Sequence, residues 1–299
     1  MYKEPIGVDV KARCGHEPTS GMYYEVLGDG RPIVFIHCGG GSGALFRATP
    51  DGRLGWADRL AERGFECWVT DWPGCGRSGG RDVLTIRYED LVDGCARLLA
   101  LVGTPPTIVC HSMAGAVTWK LVERGLVERV VAVAASYPGN IQPASETISD
   151  DGRVARIRFV ASGVEFEVAR DRLSYYSDAY VFDQGIAGSR RVPMEHLERF
   201  RASLLGLPPL TLLQRLGAEG GLPKVERTEA FEGLAVHYFT GTEDPAHTRE
   251  IEEQTVNLLR QWGAETHLTW FEGNGHFLYL ETNSDEILEQ VVASALSER

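Results

Sequence analysis

The chain has 299 residues, 43% hydrophobic and 24% charged, which provides apolar material for a full core and excludes a disordered tail or a disulfide-stapled miniprotein. Lys and Arg number 30 against 42 Asp and Glu, a formal charge of -12, so no broad cationic footprint is expected for nucleic acid or an anionic membrane. The opening MYKEPIGVDVK has no apolar stretch behind its lysines, and the longest apolar run, 130–135, falls far short of the roughly 20 residues of a membrane helix, so a cytoplasmic chain is expected. Cysteines stand at 14, 38, 67, 75, 95 and 110 with no C-x-x-C spacing, which predicts free thiols and no metal.

Strand-like and helix-like runs alternate along the chain, as in an α/β protein with a mostly parallel sheet flanked by helices. MYYEVLG (22–28) and PIVFIH (32–37) are β-rich and split by Asp29-Gly30, a hairpin signal, so they are expected to pair antiparallel. GWADRLAERG (55–64) reads as a helix stopped by Gly64, FECWVTDW (65–72) as a strand, and YEDLVDGCARLLALVG (88–103) as an amphipathic helix closed by Gly103. TIVCHS (107–112) is a strand running straight into the helix AGAVTWKLVERG (114–125), and RVVAVAASY (129–137) is a buried strand.

The rhythm then breaks. GRVARIRFVASGVEFEVARD (152–171) alternates around Ser162-Gly163 like a hairpin, and the aromatic and Pro-rich pieces that follow include Tyr175-Tyr176, Phe182 and Leu207-Pro208-Pro209. Alternation resumes with the strand LAVHYFTG (234–241), the helix 249–263, the strand THLTWFEG (266–273) and a closing helix, 284–298. The expected division is therefore a core, 1–137, an inserted cap, 138–227, and a second core part, 228–299. No internal repeat or low-complexity tract interrupts it.

Chemistry concentrates at strand ends. In Cys110-His111-Ser112-Met113-Ala114-Gly115 a serine sits on the sharp bend between a buried strand and a helix, where Cys110 and Ala114 are small enough to pass the facing backbone. The helix behind it offers the Met113 N–H and a favourable dipole to an oxyanion, whereas the bland alternative makes Ser112 an ordinary N-cap. His37-Cys38-Gly39-Gly40-Gly41-Ser42-Gly43 can turn backbone N–H groups into a cavity, from Cys38, Gly39 or Gly40, or can be a plain surface loop. Gly273-Asn274-Gly275-His276-Phe277 carries a histidine on a glycine-flanked loop, and Thr240-Gly241-Thr242-Glu243-Asp244-Pro245 offers Asp244, with Glu243 as rival, to orient it. The order Ser, acid, His is that of a hydrolase triad.

HCGGG, DWPGCGRSG, CHSMAG, GTEDP and GNGHF, in this order, resemble the motifs of the α/β-hydrolase superfamily, and the resemblance spans the chain except for the insertion. It implies an α/β-hydrolase fold with a cap, Ser112 as nucleophile, His276 as general base and then acid, Asp244 fixing the imidazole tautomer, and Gly39 and Met113 as oxyanion donors, without metal or organic cofactor. TPDGRLGW (49–56) is similar to a phrase in a bacterial esterase subgroup; the variant that places its acid after Ala134-Ala135-Ser136 has no carboxylate here. Cys38, Gly40, His111, Tyr137 and Phe277 are the expected substrate contacts, with Phe46, Met113 and Tyr175 as further candidates for an apolar pocket.

The implied activity is acyl-enzyme hydrolysis of a carboxylic ester or lactone of a small, largely apolar molecule. Carbon-carbon bond hydrolysis with the same triad, or a ligand receptor without turnover, are the alternatives. Haloalkane dehalogenases and epoxide hydrolases are excluded, because they carry aspartate where Ser112 stands. Gly74-x-Gly76-x-x-Gly79 satisfies a dinucleotide fingerprint literally, yet no helix begins inside it. The hairpin in the insertion offers an edge that could pair in a homodimer.

Overall fold

The computed structural model describes residues 12–160, 165–176 and 192–296. The opening segment 1–11, the Ser162-Gly163 turn and Phe182 lie outside the described residues. The chain begins with β1 (Arg13–His16), β2 (Tyr23–Leu27), β3 (Arg31–Ile36), α1 (Trp56–Ala61), β4 (Phe65–Thr70), α2 (Tyr88–Val102), β5 (Thr107–His111), α3 (Ala114–Glu123) and β6 (Arg129–Val133). Next come β7 (Ser145–Asp150), β8 (Val154–Phe159), β9 (Glu165–Ala169), α4 (Met194–Ser203) and α5 (Pro209–Arg215). It closes with β10 (Ala235–Gly241), α6 (Arg249–Gln261), β11 (Glu265–Phe271) and α7 (Ser284–Val291).

The main sheet has eight strands in the order β1-β2-β4-β3-β5-β6-β10-β11, antiparallel only at β1-β2 and β2-β4. This corrects the expected pairing of 22–28 with 32–37. β4 lies between those strands, and β2 takes an unpredicted partner, β1. The physical reason is in Gly28 (φ 67°) and Gly30 (φ 128°): a β-carbon on them would fall 2.5 Å from the Phe65 carbonyl oxygen and 2.2 Å from that of Gly64. The two glycines therefore let the turn lean on the entrance to β4 instead of closing a hairpin.

Alternate side chains of β3 go to opposite layers, Val34 and Ile36 toward α2 and α3, Ile33 and Phe35 toward α1 and α7. Each such aliphatic or aromatic side chain contributes roughly 1.5–3 kcal/mol on burial, so two-sided coverage explains why β5 and β6 read as unbroken apolar runs. Helices α1, α2 and α3 each give way to a glycine at positive φ, Gly64 (84°), Gly103 (84°) and Gly125 (70°), where a β-carbon would meet nothing within 4 Å. The last helix stops at Val291, and 292–296 continue as a π-helical turn rather than as the expected α-helix.

The segment between β6 and β10 carries its own antiparallel sheet, β7-β8-β9, so the predicted hairpin is present with a third strand added at β7. Ala155, Ile157, Val168, Leu213 and Leu216 give that sheet and α5 a small core of their own. Contacts that dock this segment on the start of α2 include Thr211 Oγ1 donating to the Ile86 carbonyl (2.7 Å), the Tyr88 N–H donating to Gln214 Oε1 (2.8 Å) and the Arg87–Glu219 ion pair (2.7 Å).

Candidate active site

Every predicted catalytic residue lies beyond the carboxyl end of a parallel strand, where an open α/β sheet collects its ligands. Ser112 follows β5 directly with φ 54°, a left-handed conformation that a side chain adopts at a cost of roughly 1–3 kcal/mol. Backbone bonds hold it there: its N–H donates to the Val133 carbonyl (3.1 Å), and its carbonyl accepts from Gly115 (2.9 Å) and Ser136 (2.7 Å). Gly115 is also tightly confined, because a β-carbon there would sit 2.3 Å from the Ser136 carbonyl oxygen.

His276 and Asp244, 32 residues apart in the chain, are joined Nδ1 to Oδ2 at 2.6 Å, with both side chains almost wholly buried. Glu243, the rival, is exposed. The second Asp244 oxygen accepts the N–H groups of Ala246 (2.8 Å) and His247 (3.1 Å). Burial pushes the Asp244 carboxyl up, but attraction to His276 and His247 and these hydrogen bonds bring it below the ordinary carboxylate range.

His111 links the serine bend to the histidine loop. Its Nε2 donates to the His276 carbonyl (3.0 Å), and its Nδ1 lies 2.9 Å from the Tyr279 hydroxyl, so the protein occupies both ring nitrogens. Burial, then the neighbouring His276, holds this imidazole well below its usual range, in the neutral tautomer that the two bonds specify. The bridge thus runs from the residue before Ser112 to His276 itself. Among the described residues Ser112 Oγ has no hydrogen-bond partner, a common condition of catalytic serines before substrate arrives.

The glycine loop after β3 approaches Met113 closely. A β-carbon on Gly39 would fall 2.2 Å from Met113 Sδ, and Gly40 has φ 70°. The Cys38 carbonyl accepts from His37 Nδ1 (2.7 Å) and from the Gly41 N–H (3.2 Å), which removes Gly41 as a donor. Among the described residues the N–H groups of Gly39 and Gly40 have no partner, whereas that of Cys38 turns to its own sulfur, which leaves Gly39 and Gly40 as the better candidate oxyanion donors. Burial lowers the His37 imidazole against the pull of Asp71, and its Nε2 accepts the Trp72 N–H (3.0 Å).

Asp71, from the DWPGCGRSG loop, takes the Gly43 N–H on Oδ1 (2.7 Å) and the Arg77 N–H on Oδ2 (2.8 Å). A β-carbon on Gly76 would lie 2.4 Å from that same oxygen, so the literal G-x-G-x-x-G loop wraps a carboxylate, the opposite of what a pyrophosphate needs.

Among the expected substrate contacts, Phe277 packs against His111 (ring centroids 4.6 Å) and Phe200 (4.8 Å) and borders a small apolar cavity with Pro50, Val192 and Leu280. Tyr137 is buried, with its hydroxyl on Arg215. Burial raises the Cys38 thiol to about 12, so it is no nucleophile at neutral pH. Phe46 is wholly buried, packed between Phe35 and Tyr279.

Sequence reasoning missed Glu281, wholly buried, whose carboxylate accepts the Gly275 N–H (2.7 Å) and the Asn274 amide (2.7 Å) and so anchors the histidine loop. It also missed the buried pair His247–Glu252. The one local trace of Glu281 is its place directly behind the apolar run Phe277-Leu278-Tyr279-Leu280.

The chain belongs to the alpha/beta hydrolase family, whose model matches residues 33–290. It is 22% identical to a probable secreted lipase, phiG, of a fungal species, over 87% of this chain and 80% of that protein. It shares its fold with an esterase of Exiguobacterium antarcticum (TM-score 0.63, 18% identity, 92% of this chain and 96% of that one). Est816, described as an N-acyl homoserine lactone degrading enzyme, is similar to the same degree (TM-score 0.62, 19% identity, 92% and 96%). Among the described residues no helix is long and apolar enough to cross a membrane.

Proposed function

We propose that the protein is a serine hydrolase that cleaves a carboxylic ester or lactone of a small, largely apolar substrate through an acyl-enzyme on Ser112. The observation that carries this reading is the buried His276–Asp244 bond of 2.6 Å, held one residue from Ser112 by His111. With Nδ1–H given to Asp244, Nε2 is the basic nitrogen of His276. It takes the Ser112 proton as Oγ attacks the carbonyl carbon, and Met113 N–H together with a second N–H from 38–40 stabilises the tetrahedral oxyanion. The imidazolium then protonates the leaving alkoxide. Water, deprotonated by the same nitrogen, attacks the acyl carbon, and the carboxylic acid leaves as Ser112 regains its proton.

The esterase, lipase and lactone-degrading relatives support this bond class. The segment 138–227 acts as a cap over the serine in this reading. Six free cysteines, five of them buried, are consistent with a cytoplasmic setting. The test is intact mass after exposure to a fluorophosphonate. One adduct on the wild type and none on Ser112→Ala is expected; an unmodified wild type would overturn the assignment of Ser112.

A further inference from the structure

Each carbonyl of the 38–40 loop is held by named donors, and those on Gly39 and Gly40 differ in origin from those on Cys38. The Cys38 carbonyl is fixed from within the core, by His37 and Gly41. The Gly39 carbonyl accepts the Tyr176 hydroxyl (2.9 Å), and the Gly40 carbonyl accepts the Leu205 N–H (2.6 Å), both from the inserted segment. Tyr176 and Leu205 come from stretches that are zipped together, because Ser174 and Leu207 exchange both backbone bonds (3.1 and 2.7 Å). The ring of Tyr176 also reaches Gly40, where a β-carbon would fall 2.8 Å from its Cε2.

The peptide bonds here are all trans, so a carbonyl and the N–H of the next residue point in opposite directions. Fixing the Gly39 carbonyl therefore aims the Gly40 N–H, just as His37 on the Cys38 carbonyl aims the Gly39 N–H. Both N–H groups are unpartnered among the described residues.

From this geometry we infer that Tyr176 is a positioning residue of the oxyanion hole, acting through the Gly39 carbonyl to aim the Gly40 N–H at the developing negative charge. The inserted segment thus takes part in the chemical step as well as covering the serine. This inference rests on the serine-hydrolase reading above. Tyr176 itself touches no reacting atom in this role; it sets the plane of one peptide.

The test compares wild type with Tyr176→Phe, which keeps the ring and removes the donor. Both are assayed on 4-nitrophenyl butanoate and on the thionoester in which sulfur replaces the carbonyl oxygen, with active sites counted by fluorophosphonate titration. Sulfur is a poor acceptor for N–H groups, so an oxyanion defect falls mainly on the oxygen ester. Removing a whole donor costs about 10²-fold or more in kcat. Misaiming one is expected to lower kcat on the oxygen ester about 10-fold. KM should stay within about twofold, and kcat on the thionoester should change by less than about twofold. Equal losses on both substrates, or no loss on either, would overturn the inference. A wild type that neither takes the probe nor turns over the ester fails differently: it removes the serine-hydrolase reading, and the inference falls with it.

Discussion

The imidazole of His247 lies face to face with that of His276, ring centroids 5.1 Å apart and planes inclined by 29°, while its Nδ1 stands 2.9 Å from Glu252. Both His247 and Glu252 are buried, and the His247 N–H also donates to Asp244. The wall behind the His–Asp pair is therefore a second His–carboxylate pair. Replacing His247 by Ala strands the Glu252 carboxylate in the interior, at a cost of about 3–5 kcal/mol. Urea unfolding should read that loss directly. The double variant His247→Leu/Glu252→Met, which removes both polar groups and keeps the volume, should recover most of it; failure to recover would mean the pair is bound into a larger network.

Ser112 is held at φ 54°, where glycine rests without strain. Ser112→Gly should therefore unfold at higher urea concentration than Ser112→Ala, by about 1 kcal/mol, although both lack the hydroxyl. Equal stability would show that the bend stores no strain.

Two neutral imidazoles make folding sensitive to mild acid. His111 and His37 are both held below the ordinary range, burial being the chief cause in each. The unfolded chain binds protons on them as pH falls through about 6.5, and the folded chain does not. Their contribution is complete above that pH and declines below it, by up to about 1.4 kcal/mol per pH unit for each histidine. Asp244, whose folded carboxyl lies below the ordinary range, adds a loss of the same sign below about pH 4. Urea midpoints at pH 8, 6.5 and 5.5 should be close for the first two and clearly lower for the third; a constant midpoint would contradict the neutral assignment.

Glu281 reaches the histidine loop one residue before His276, the proposed base, through the Gly275 N–H. Glu281→Ala should free that loop and lower kcat by about 10²-fold, since a displacement near 1 Å suffices for such a loss, with KM little changed. Steady-state kinetics on a 4-nitrophenyl ester separates the two parameters. A loss confined to KM would place Glu281 in binding instead.

Chain order, the flanking glycines and the strand ends made Ser112, Asp244 and His276 readable as a set, because each sits where a short local pattern interrupts a buried strand. Asp244 was separable from Glu243 only in space, where one side chain turns inward and the other to solvent. Long-range partners left no such trace. Tyr176 and Gly39 are 137 positions apart, and the choice of β4 rather than β3 as neighbour of β2 depends on how Gly28 and Gly30 lean on a turn more than 30 positions later. Glu281 and Glu252 are acidic residues like any on a solvated helix until burial is known. Local periodicity reports which face of an element is apolar, and it is silent about the polar group that meets it from elsewhere.

The turns at Gly64, Gly103 and Gly125 stand at the end of the sheet opposite the serine, ask only for a left-handed backbone, and have open space around them. The molecule is thus divided into a working rim and an idle one. New chain ends, a fused partner or an affinity tag spliced at 103–105, where all three residues are exposed, would lengthen the idle rim while leaving every loop of the working rim with its own neighbours.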